Sequence, residues 1–302
     1  MILGIDIGGT NVKFGVCDES YNILKSYSIK TLKDKGDMAF LESICEKINK
    51  IKEEFPIERI GIGSPGTIDT VRGIGVIAAN LPYSNTPITE TVKRLTGICA
   101  SVANDANCAI AGELYAGCGR EFKNIAMITL GTGVGGGIVI DKKIYNGRSG
   151  HVAEFGHFSI NYEGIPCPCG QKGCLEQYAS VTALIRQTKE AIRENPDSLL
   201  AKLGSEKVSG RTAFDAMKVG CPAGEKVVRD YIGYLAVGIT GIEFYLEPDV
   251  IVIGGAISNE GDYLIKPLKE VLTRPVNVRV SALGNNAGII GAAAIARESL
   301  DT

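Results

Sequence analysis

Hydrophobic residues occur along this chain in two patterns, at helical spacing and in short apolar runs, and both patterns predict regular secondary structure. Segment 37–54 carries Met38, Leu41, Ile44, Cys45, Ile48 and Ile51 at helical spacing and predicts an amphipathic helix. Runs rich in Ile and Val predict strands at 22–30, 58–63, 98–103 and 249–253. Further helices are predicted from Asn104–Asp105 to Gly117, over much of 180–230, over 231–246 and near the C-terminus. This mixture predicts an α/β fold.

Two glycine-rich segments resemble each other. Residues 4–18 read GIDIGGTNVKFGVCD and residues 127–141 read MITLGTGVGGGIVID. Each predicts a β-hairpin, in which two apolar strands flank a turn with few side chains. One hairpin in each half indicates a duplicated architecture with a cleft between the halves, although two glycine-rich strands can also resemble each other by chance.

Composition narrows the classes of protein. A length of 302 residues favours about two domains. The formal net charge of −2 offers no basic surface for nucleic acid. No apolar run predicts a membrane span, and the first residues lack the basic start of a signal peptide. Nine cysteines, an odd number, favour a reducing cytoplasm with free thiols.

One short segment combines metal-ligand chemistry with turn residues. His157, Cys167, Cys169 and Cys174 match a closed tetrahedral zinc site. Neighbouring prolines and glycines allow the loop to bring its sulfur atoms to one point. Four protein ligands leave no open position on zinc, so the ion is predicted to brace the loop rather than to catalyse. The alternative is three buried or disulfide-forming cysteines beside an unrelated histidine.

The two glycine turns are also candidate phosphate sites. Without a Cβ, backbone amides at such turns can approach phosphate oxygens closely. Neither turn is a Walker loop or a dinucleotide fingerprint, and a tight hairpin is an alternative explanation for each. Asp6 lies beside the first turn and supplies a carboxylate that could reach Mg²⁺ directly or through water. The combination favours a clamp for nucleotide phosphates.

Asp105 follows a predicted strand and precedes a helix. It is either a helix N-cap or a general base that accepts a proton from a hydroxyl nucleophile. Spacing alone leaves both roles open.

Taken together, these motifs resemble the ROK family of sugar kinases, within the actin-like and hexokinase-like ATPases, over essentially the whole chain. DIGGT at 6–10 and LGTGVGGG at 130–137 resemble the phosphate motifs of the family, and IGGAIS at 253–258 resembles its adenosine motif. GIGSPG at 61–66 and NLPYSN at 80–85 resemble the sugar loops, and VANDAN at 102–107 resembles the catalytic motif. AEFGH at 153–157 followed by CPCGQKGCLE at 167–176 resembles the zinc and sugar signature.

The resemblance implies an α/β fold of two actin-like (ribonuclease H-like) domains around a central cleft, with a zinc-braced loop. The expected domains are 1–118, with a C-terminal helix of about 289–302 packing back, and 119–288. It also implies a role for each matching residue. Asp105 is the catalytic base. The sugar would be held by Gly66, Asn80, Asn104, Asp105, Glu154, His157 and Glu176. Magnesium and nucleotide would be held by Asp6, Gly8, Gly9, Thr10, Lys13, Gly131, Thr132, Gly133, Gly254 and Gly255.

The implied activity is an ATP-dependent hexose kinase, first of all a glucokinase with ATP, Mg²⁺ and structural Zn²⁺, in a cytoplasmic homodimer or homotetramer. N-acetylmannosamine, N-acetylglucosamine, fructose or β-glucoside kinase activity is the alternative. A repressor of the same family would carry a helix-turn-helix domain ahead of DIGGT, which here begins at residue 6. Ala153 departs from the usual GxxGExGH pattern, and its methyl group is expected to affect sugar selectivity.

Overall fold

The computed structural model of the chain describes residues 1–78, 80–148 and 152–298. The strands, in chain order, are β1 (Ile2–Ile7), β2 (Asn11–Cys17), β3 (Ile23–Lys30), β4 (Arg59–Ser64), β5 (Thr67–Asp69), β6 (Ile74–Ile77), β7 (Thr86–Pro87), β8 (Ala100–Asn104), β9 (Ile125–Leu130), β10 (Val134–Ile140), β11 (Lys143–Ile144), β12 (Val250–Gly254) and β13 (Val278–Val280). The helices are α1 (Asp37–Glu54), α2 (Ile88–Thr96), α3 (Asp105–Tyr115), α4 (Glu176–Ala179), α5 (Val181–Glu194), α6 (Leu199–Leu203), α7 (Thr212–Lys218), α8 (Pro222–Leu246), α9 (Asp262–Val271) and α10 (Ala287–Glu298).

The described chain divides into two compact units. Unit 1 takes its residues from Met1–Lys123, Gly137–Val152 and Asn285–Thr302. Unit 2 takes its residues from Asn124–Gly136 and Ala153–Gly284. The chain therefore enters unit 2 twice, and the predicted domains 1–118 and 119–288 stay a prediction.

Unit 1 is built on a five-stranded sheet in the order β3-β2-β1-β4-β8. β1 pairs with β2 in antiparallel orientation, whereas β1 with β4 and β4 with β8 are parallel pairs. The central strand β1 is almost entirely apolar because both of its faces are covered. Since the parallel strands end at the same edge of the sheet, the residues that follow β1, β4 and β8 come together there.

Helix α1 covers this sheet with an apolar stripe. Phe40, Leu41, Ile44 and Ile48 recur every three to four residues and are buried in one cluster with Ile5 of β1. Each such side chain contributes about 1.5–3 kcal/mol when it is buried. The stability of α1 therefore depends on this stripe, and Ile48→Ala is expected to cost about 2–5 kcal/mol.

Helix α10 belongs to unit 1 although it lies near the end of the chain. It packs against α3, β1 and β4. Small residues allow α10 to lie close to β4, because a Cβ at Gly61 would be only 1.8 Å from the carbonyl oxygen of Ala292. Because α10 covers the strands that end at the glycine turn, it helps to fix that edge of the sheet.

Unit 2 contains the parallel strands β9, β12 and β13, in that order. Its helices cover an apolar core to which α8 contributes Tyr231, Leu235, Ile239 and Ile242. Pro222 occupies the first turn of α8, where its missing N–H would have no helical partner in any case.

Most predicted elements are found, and the hairpins are among them. α1 matches its predicted bounds of 37–54, the four predicted strands correspond to β3, β4, β8 and β12, and α10 is the predicted C-terminal helix. β1 and β2 form the first hairpin, and β9 and β10 are neighbours in one sheet. The predicted helix 231–246 is too short, because α8 begins at Pro222. Within the described residues, no helix has the length and apolar character of a membrane span.

Candidate active site

The first glycine turn joins β1 to β2 in unit 1. Gly8 N–H donates to the Asn11 carbonyl at 3.0 Å and closes the turn. Thr31 braces it from outside, with its hydroxyl 2.6 Å from the Gly8 carbonyl and its N–H 3.0 Å from the Thr10 carbonyl. Gly9 and Thr10 are exposed at the tip. A braced turn with exposed backbone amides is suited to bind phosphate oxygens.

Asp6 lies in β1, at the approach to this turn. Lys13 Nζ is 3.8 Å from its Oδ2, and a Cβ at Gly288, in the first turn of α10, would lie 3.2 Å from its carboxyl carbon. Burial raises the pKa of Asp6, and the lowering effect of Lys13 is the smaller one. A half-buried carboxylate beside a candidate phosphate turn is suited to bind Mg²⁺, because this ion is usually bound by one or two protein carboxylates together with phosphates and water.

Asn104 and Asp105 lie at the junction of β8 and α3. The side chain of Asn104 accepts the Ala106 N–H at 2.9 Å, so Asn104 is the N-cap of α3. This corrects the N-cap alternative for Asp105, which is the first residue of the helix and accepts the same N–H through Oδ1 at 2.9 Å. The cap function is thus already supplied by Asn104, and Asp105 is exposed at the start of the helix.

Two predicted sugar loops of unit 1 meet close to this junction. Asn104 Nδ2 donates to the Gly66 carbonyl at 3.2 Å. Gly66 has a φ of 96°, and a Cβ there would lie 2.4 Å from the Ile77 carbonyl oxygen, so only glycine fits. The hydroxyls of Ser64 and Tyr83 are 2.8 Å apart and tie the two loops together, and burial raises the pKa of Tyr83 to about 12. Asn80, in the second loop, lies beside Gly9 of the phosphate turn.

Cys108 is a fully buried residue of α3. Burial raises its pKa well above the usual range, and the charges of Asp105 and Asp6 raise it further. Unit 1 brings a candidate magnesium ligand and a candidate base to the same edge of its sheet.

The second glycine turn lies in unit 2, between β9 and β10. Gly131 N–H donates to the Gly133 carbonyl at 3.0 Å. The hydroxyl of Thr182 donates to the Thr132 carbonyl at 2.7 Å. Glu176 Oε2 accepts the Val134 N–H at 2.9 Å. The predicted phosphate turn and the predicted sugar ligand Glu176 are therefore in direct contact.

The predicted zinc ligands converge in unit 2. Cys167 Sγ is 3.7 Å from His157 Nδ1, Cys169 Sγ is 3.5 Å from Cys174 Sγ, and all four ligand atoms lie within 4.8 Å of one another. In a tetrahedral site with bonds of about 2.0–2.3 Å, neighbouring ligand atoms are about 3.3–3.8 Å apart. The donor set therefore fits zinc. Because Nδ1 faces the thiols, the second ring nitrogen of His157 is left for another partner.

The backbone of the segment just before the cysteines has two notable features, a hydrogen bond at His157 and a left-handed conformation at Ala153. His157 N–H donates to the Glu154 carbonyl at 2.9 Å, which ties the predicted sugar ligand to the predicted metal ligand. Ala153 has a φ of 61° and is buried. A left-handed backbone explains the glycine of the usual pattern, because an L-residue with a Cβ is strained there.

The predicted adenosine motif ends β12. Gly254 is the last residue of the strand, and Gly255 precedes a 3₁₀ turn, Ala256–Glu260. A buried carboxylate that the sequence did not single out anchors the turn: Glu260 is 2.6 Å from Lys218 Nζ and 3.8 Å from Arg211 Nε. The ion pair is supplied by α7, which is distant in sequence, so no local pattern signals it.

The fold and these sites define an α/β protein with two phosphate-type glycine turns, a carboxylate at a strand-to-helix junction and a zinc-type loop. The model of the ROK family matches residues 2–299, and this chain belongs to that family. The predicted fold class is thereby confirmed.

Individual relatives match over nearly the full length. A glucokinase of Streptomyces coelicolor is 34% identical over an alignment of 312 residues, covering 99% of this chain and 98% of the relative. A glucokinase of Thermotoga maritima is 35% identical over 310 residues, with the same coverage of 99% and 98%. The crystal structure of a ROK family glucokinase from Streptomyces griseus, in complex with glucose and AMPPNP, has a TM-score of 0.85 at 31% identity, covering 98% of this chain and 99% of that one.

Each unit thus groups its own share of the predicted site residues. Unit 1 holds the magnesium, base and first phosphate candidates together with Gly66, Asn80 and Asn104. Unit 2 holds the second phosphate turn, Glu154, Glu176, the zinc ligands and the adenosine candidates. The sequence missed Thr31, Gly288 and Glu260, because each acts through a contact between segments far apart in the chain.

Proposed function

We propose that this chain is an ATP-dependent hexose kinase that transfers the γ-phosphoryl group of ATP to the 6-hydroxyl of D-glucose. The observation that carries the proposal is the full-length match to glucokinases, one of them bound to glucose and an ATP analogue. Within this chain, the support is the exposed carboxylate of Asp105 at the end of β8, beside the loop of Gly66.

Asp105 acts as the general base. It accepts the proton of the sugar hydroxyl as the new O–P bond forms and the bond from the γ-phosphorus to the bridging oxygen of ADP breaks. Phosphoryl transfer needs positioning and charge neutralisation more than covalent chemistry. Asn104, Gly66 and Asn80 orient the hydroxyl groups, while Glu154, His157 and Glu176 hold the remainder of the sugar.

The nucleotide is held by backbone and by charge. Gly8 and Gly131 shape the two turns through their own N–H groups, and the amides of Gly9, Thr10, Thr132 and Gly133 donate to phosphate oxygens. Asp6 and Lys13 hold the magnesium–phosphate group, and Gly254 and Gly255 contact the adenosine. Mg²⁺, when bound, neutralises the phosphate charge that develops during transfer. Zinc, when bound by His157 and the three cysteines, fixes the loop that carries Glu154 and Glu176. A homodimer or homotetramer in the cytoplasm stays a prediction.

A coupled assay of ADP release over a panel of sugars tests the proposal. With Mg-ATP we expect the highest kcat/KM for glucose, ahead of mannose, fructose, N-acetylglucosamine and N-acetylmannosamine. Product analysis should give glucose 6-phosphate. A preference of more than tenfold for an N-acetylated sugar would contradict the assignment to glucose, and no sugar-dependent ADP release would contradict the kinase.

A further inference from the structure

A cavity of about 470 Å³ in unit 1 has no part in the proposed reaction. It lies along β8, which ends the five-stranded sheet and therefore has one unpaired edge. Its lining comes from five other elements of the same unit: Thr70 and Gly73 of the β5–β6 turn, Thr89 of α2, Asn107 of α3, Asn146 after β11 and Glu298 of α10.

The wall of the cavity offers a buried amide. Asn107 is only 4% exposed, and its Nδ2 donates to Asn146 Oδ1 at 3.0 Å. Among the described residues, no group donates to its Oδ1. Among the described residues, the fully enclosed side-chain oxygens and nitrogens without a partner do not include Asn107 Oδ1, so this oxygen is reachable and can accept a hydrogen bond from a ligand in the cavity.

The edge strand adds backbone groups. Ile60 N–H donates to the Cys99 carbonyl at 3.1 Å. In a parallel ladder the backbone groups of alternate residues bond the same neighbouring strand. The N–H and carbonyl groups of Ser101 and Ala103 therefore also point toward β4. The N–H and carbonyl of Val102 therefore point away from β4, toward the cavity side, and provide a paired donor and acceptor.

The charge and size of the cavity limit the ligand. One cation, Lys143, and one carboxylate, Glu298, line it, so the lining has no net charge. Its other polar groups are hydroxyls and amides, chiefly Thr70, Thr89 and Ser101. Its volume lies within the range of about 300–1,000 Å³ that is usual for small-molecule sites. Hydroxyl and amide linings of this kind match a neutral ligand with many hydroxyl groups.

We infer that this cavity is a second binding site, which takes a neutral polyhydroxylated molecule of monosaccharide or disaccharide size. The ligand donates to Asn107 Oδ1 and pairs with the backbone of Val102. Both contacts adjoin the β8–α3 junction: Asn107 lies two residues after Asp105, and Val102 lies two residues before Asn104. Occupancy therefore restrains the junction that holds Asp105, and this coupling rests on the function proposed above.

Equilibrium dialysis of the full chain with labelled D-glucose, and separately with maltose, in the absence of nucleotide, tests the site. We expect two glucose molecules per chain in the wild type. Asn146→Trp, which places an indole at the cavity wall, should leave one, whereas Asn146→Ala should keep two. Asn107→Leu should weaken the cavity site about tenfold, because it removes one hydrogen-bond acceptor. Asn107→Asp keeps an acceptor oxygen and should retain binding.

The same experiment separates this site from the proposed active site. Glu176→Ala should weaken glucose binding at the active site by about 10–150-fold and leave unchanged the binding that Asn146→Trp removes. A wild type that binds one sugar sensitive only to Asn146→Trp would contradict the proposed function and support the cavity. The inference is overturned if, at millimolar concentrations, neither glucose nor maltose binds anywhere except at the site that Glu176→Ala weakens. It is also overturned if the second sugar molecule still binds to Asn146→Trp protein that has the melting temperature of the wild type.

Discussion

Glu176 Oε2 accepts the backbone N–H of Val134 at 2.9 Å, so one carboxylate connects the zinc loop to the second glycine turn. The contact is close enough to restrict the turn itself, because a Cβ at Gly133 would lie 2.3 Å from the same oxygen. Glu176 is also two residues from the candidate zinc ligand Cys174. A residue predicted only as a sugar ligand is therefore also a brace for the second glycine turn.

This double contact makes the effects of Glu176 variants separable. Glu176→Ala should raise KM for both glucose and ATP, each by about 10–150-fold, because a hydrogen bond to a charged group is worth about 1.5–3 kcal/mol. Glu176→Gln keeps an acceptor oxygen for Val134 and should affect glucose more than ATP. Glu163→Ala, an exposed position in the same loop, is the control and should leave both KM values unchanged. An ATP KM that is normal in Glu176→Ala would refute the role as a brace.

The zinc loop should contain about one zinc per chain by elemental analysis, bound by His157, Cys167, Cys169 and Cys174. Cys169→Ser should lose the metal and weaken glucose binding, because the same loop carries Glu154 and Glu176. Zinc should also be released as the pH falls, since protons compete for thiolates and imidazole. Cys99→Ser, outside the cluster, should keep full zinc content. Protein purified without chelator that is free of zinc yet fully active would contradict this prediction.

Asp6 should show a conflict between stability and activity. Burial raises its folded-state pKa above the ordinary value of 3.8, so the folded protein binds the proton more tightly than the unfolded chain does. Its ionisation therefore costs stability as the pH rises through that window, and the full cost is present at neutral pH. Asp6→Asn should raise the free energy of unfolding at pH 7, with no gain below about pH 3.8. It should also weaken the use of Mg-ATP by about 10–100-fold, the usual loss when a carboxylate that orients a metal is removed.

Asp18 serves as the control for Asp6, because its pKa is shifted in the opposite direction. Hydrogen bonds from Asn22 and Ser20 lower the pKa of Asp18, so its stabilisation is present above the ordinary pKa and is lost as the pH falls. Asp18→Asn should therefore lower stability at neutral pH and converge with the wild type in acid. Urea titrations at several pH values measure both variants. If Asp6→Asn and Asp18→Asn shifted stability in the same direction, burial would not be the dominant influence on Asp6.

Local patterns in the sequence predicted the regular elements well where one face is buried. The bounds of α1 follow directly from its apolar stripe. The start of α8 was missed because the first turns of this helix, from Pro222 to Asp230, are largely polar on the solvent side. The motifs grouped the candidate residues by type, but contacts such as Thr31 with Gly8, Gly288 with Asp6 and Lys218 with Glu260 depend on the tertiary fold. No spacing rule connects those positions.

Ala153 shows how a departure from the motif acts through the backbone. Ala153 has a φ of 61°, a left-handed conformation that the glycine of the usual pattern adopts without strain. For a residue with a Cβ, this conformation costs about 1–2 kcal/mol of folding stability. Ala153→Gly should therefore raise the free energy of unfolding by about 1 kcal/mol. Ala126→Gly, in the buried strand β9, is the matched control and should lower it, because glycine weakens a strand. Thermal denaturation of both variants checks the sign, and a loss of stability in Ala153→Gly would mean that the strain is absent.

Asp105 provides the decisive test of the chemistry. Asp105→Asn keeps an oxygen for the Ala106 N–H, and Asn104 still caps α3, so the fold should survive. The variant lacks the proton acceptor, and removal of a general base costs about 10²–10⁴ in rate, or roughly 3–5 kcal/mol of barrier. The loss should appear in kcat rather than in the KM for glucose, because a neutral amide still contacts the hydroxyl. Asp69→Asn, which replaces another local acceptor of a backbone N–H, should keep normal turnover. If folded Asp105→Asn protein turned over within a few-fold of wild type, the proposed reaction would lack its base, and Asp105 would be a structural residue of the helix start.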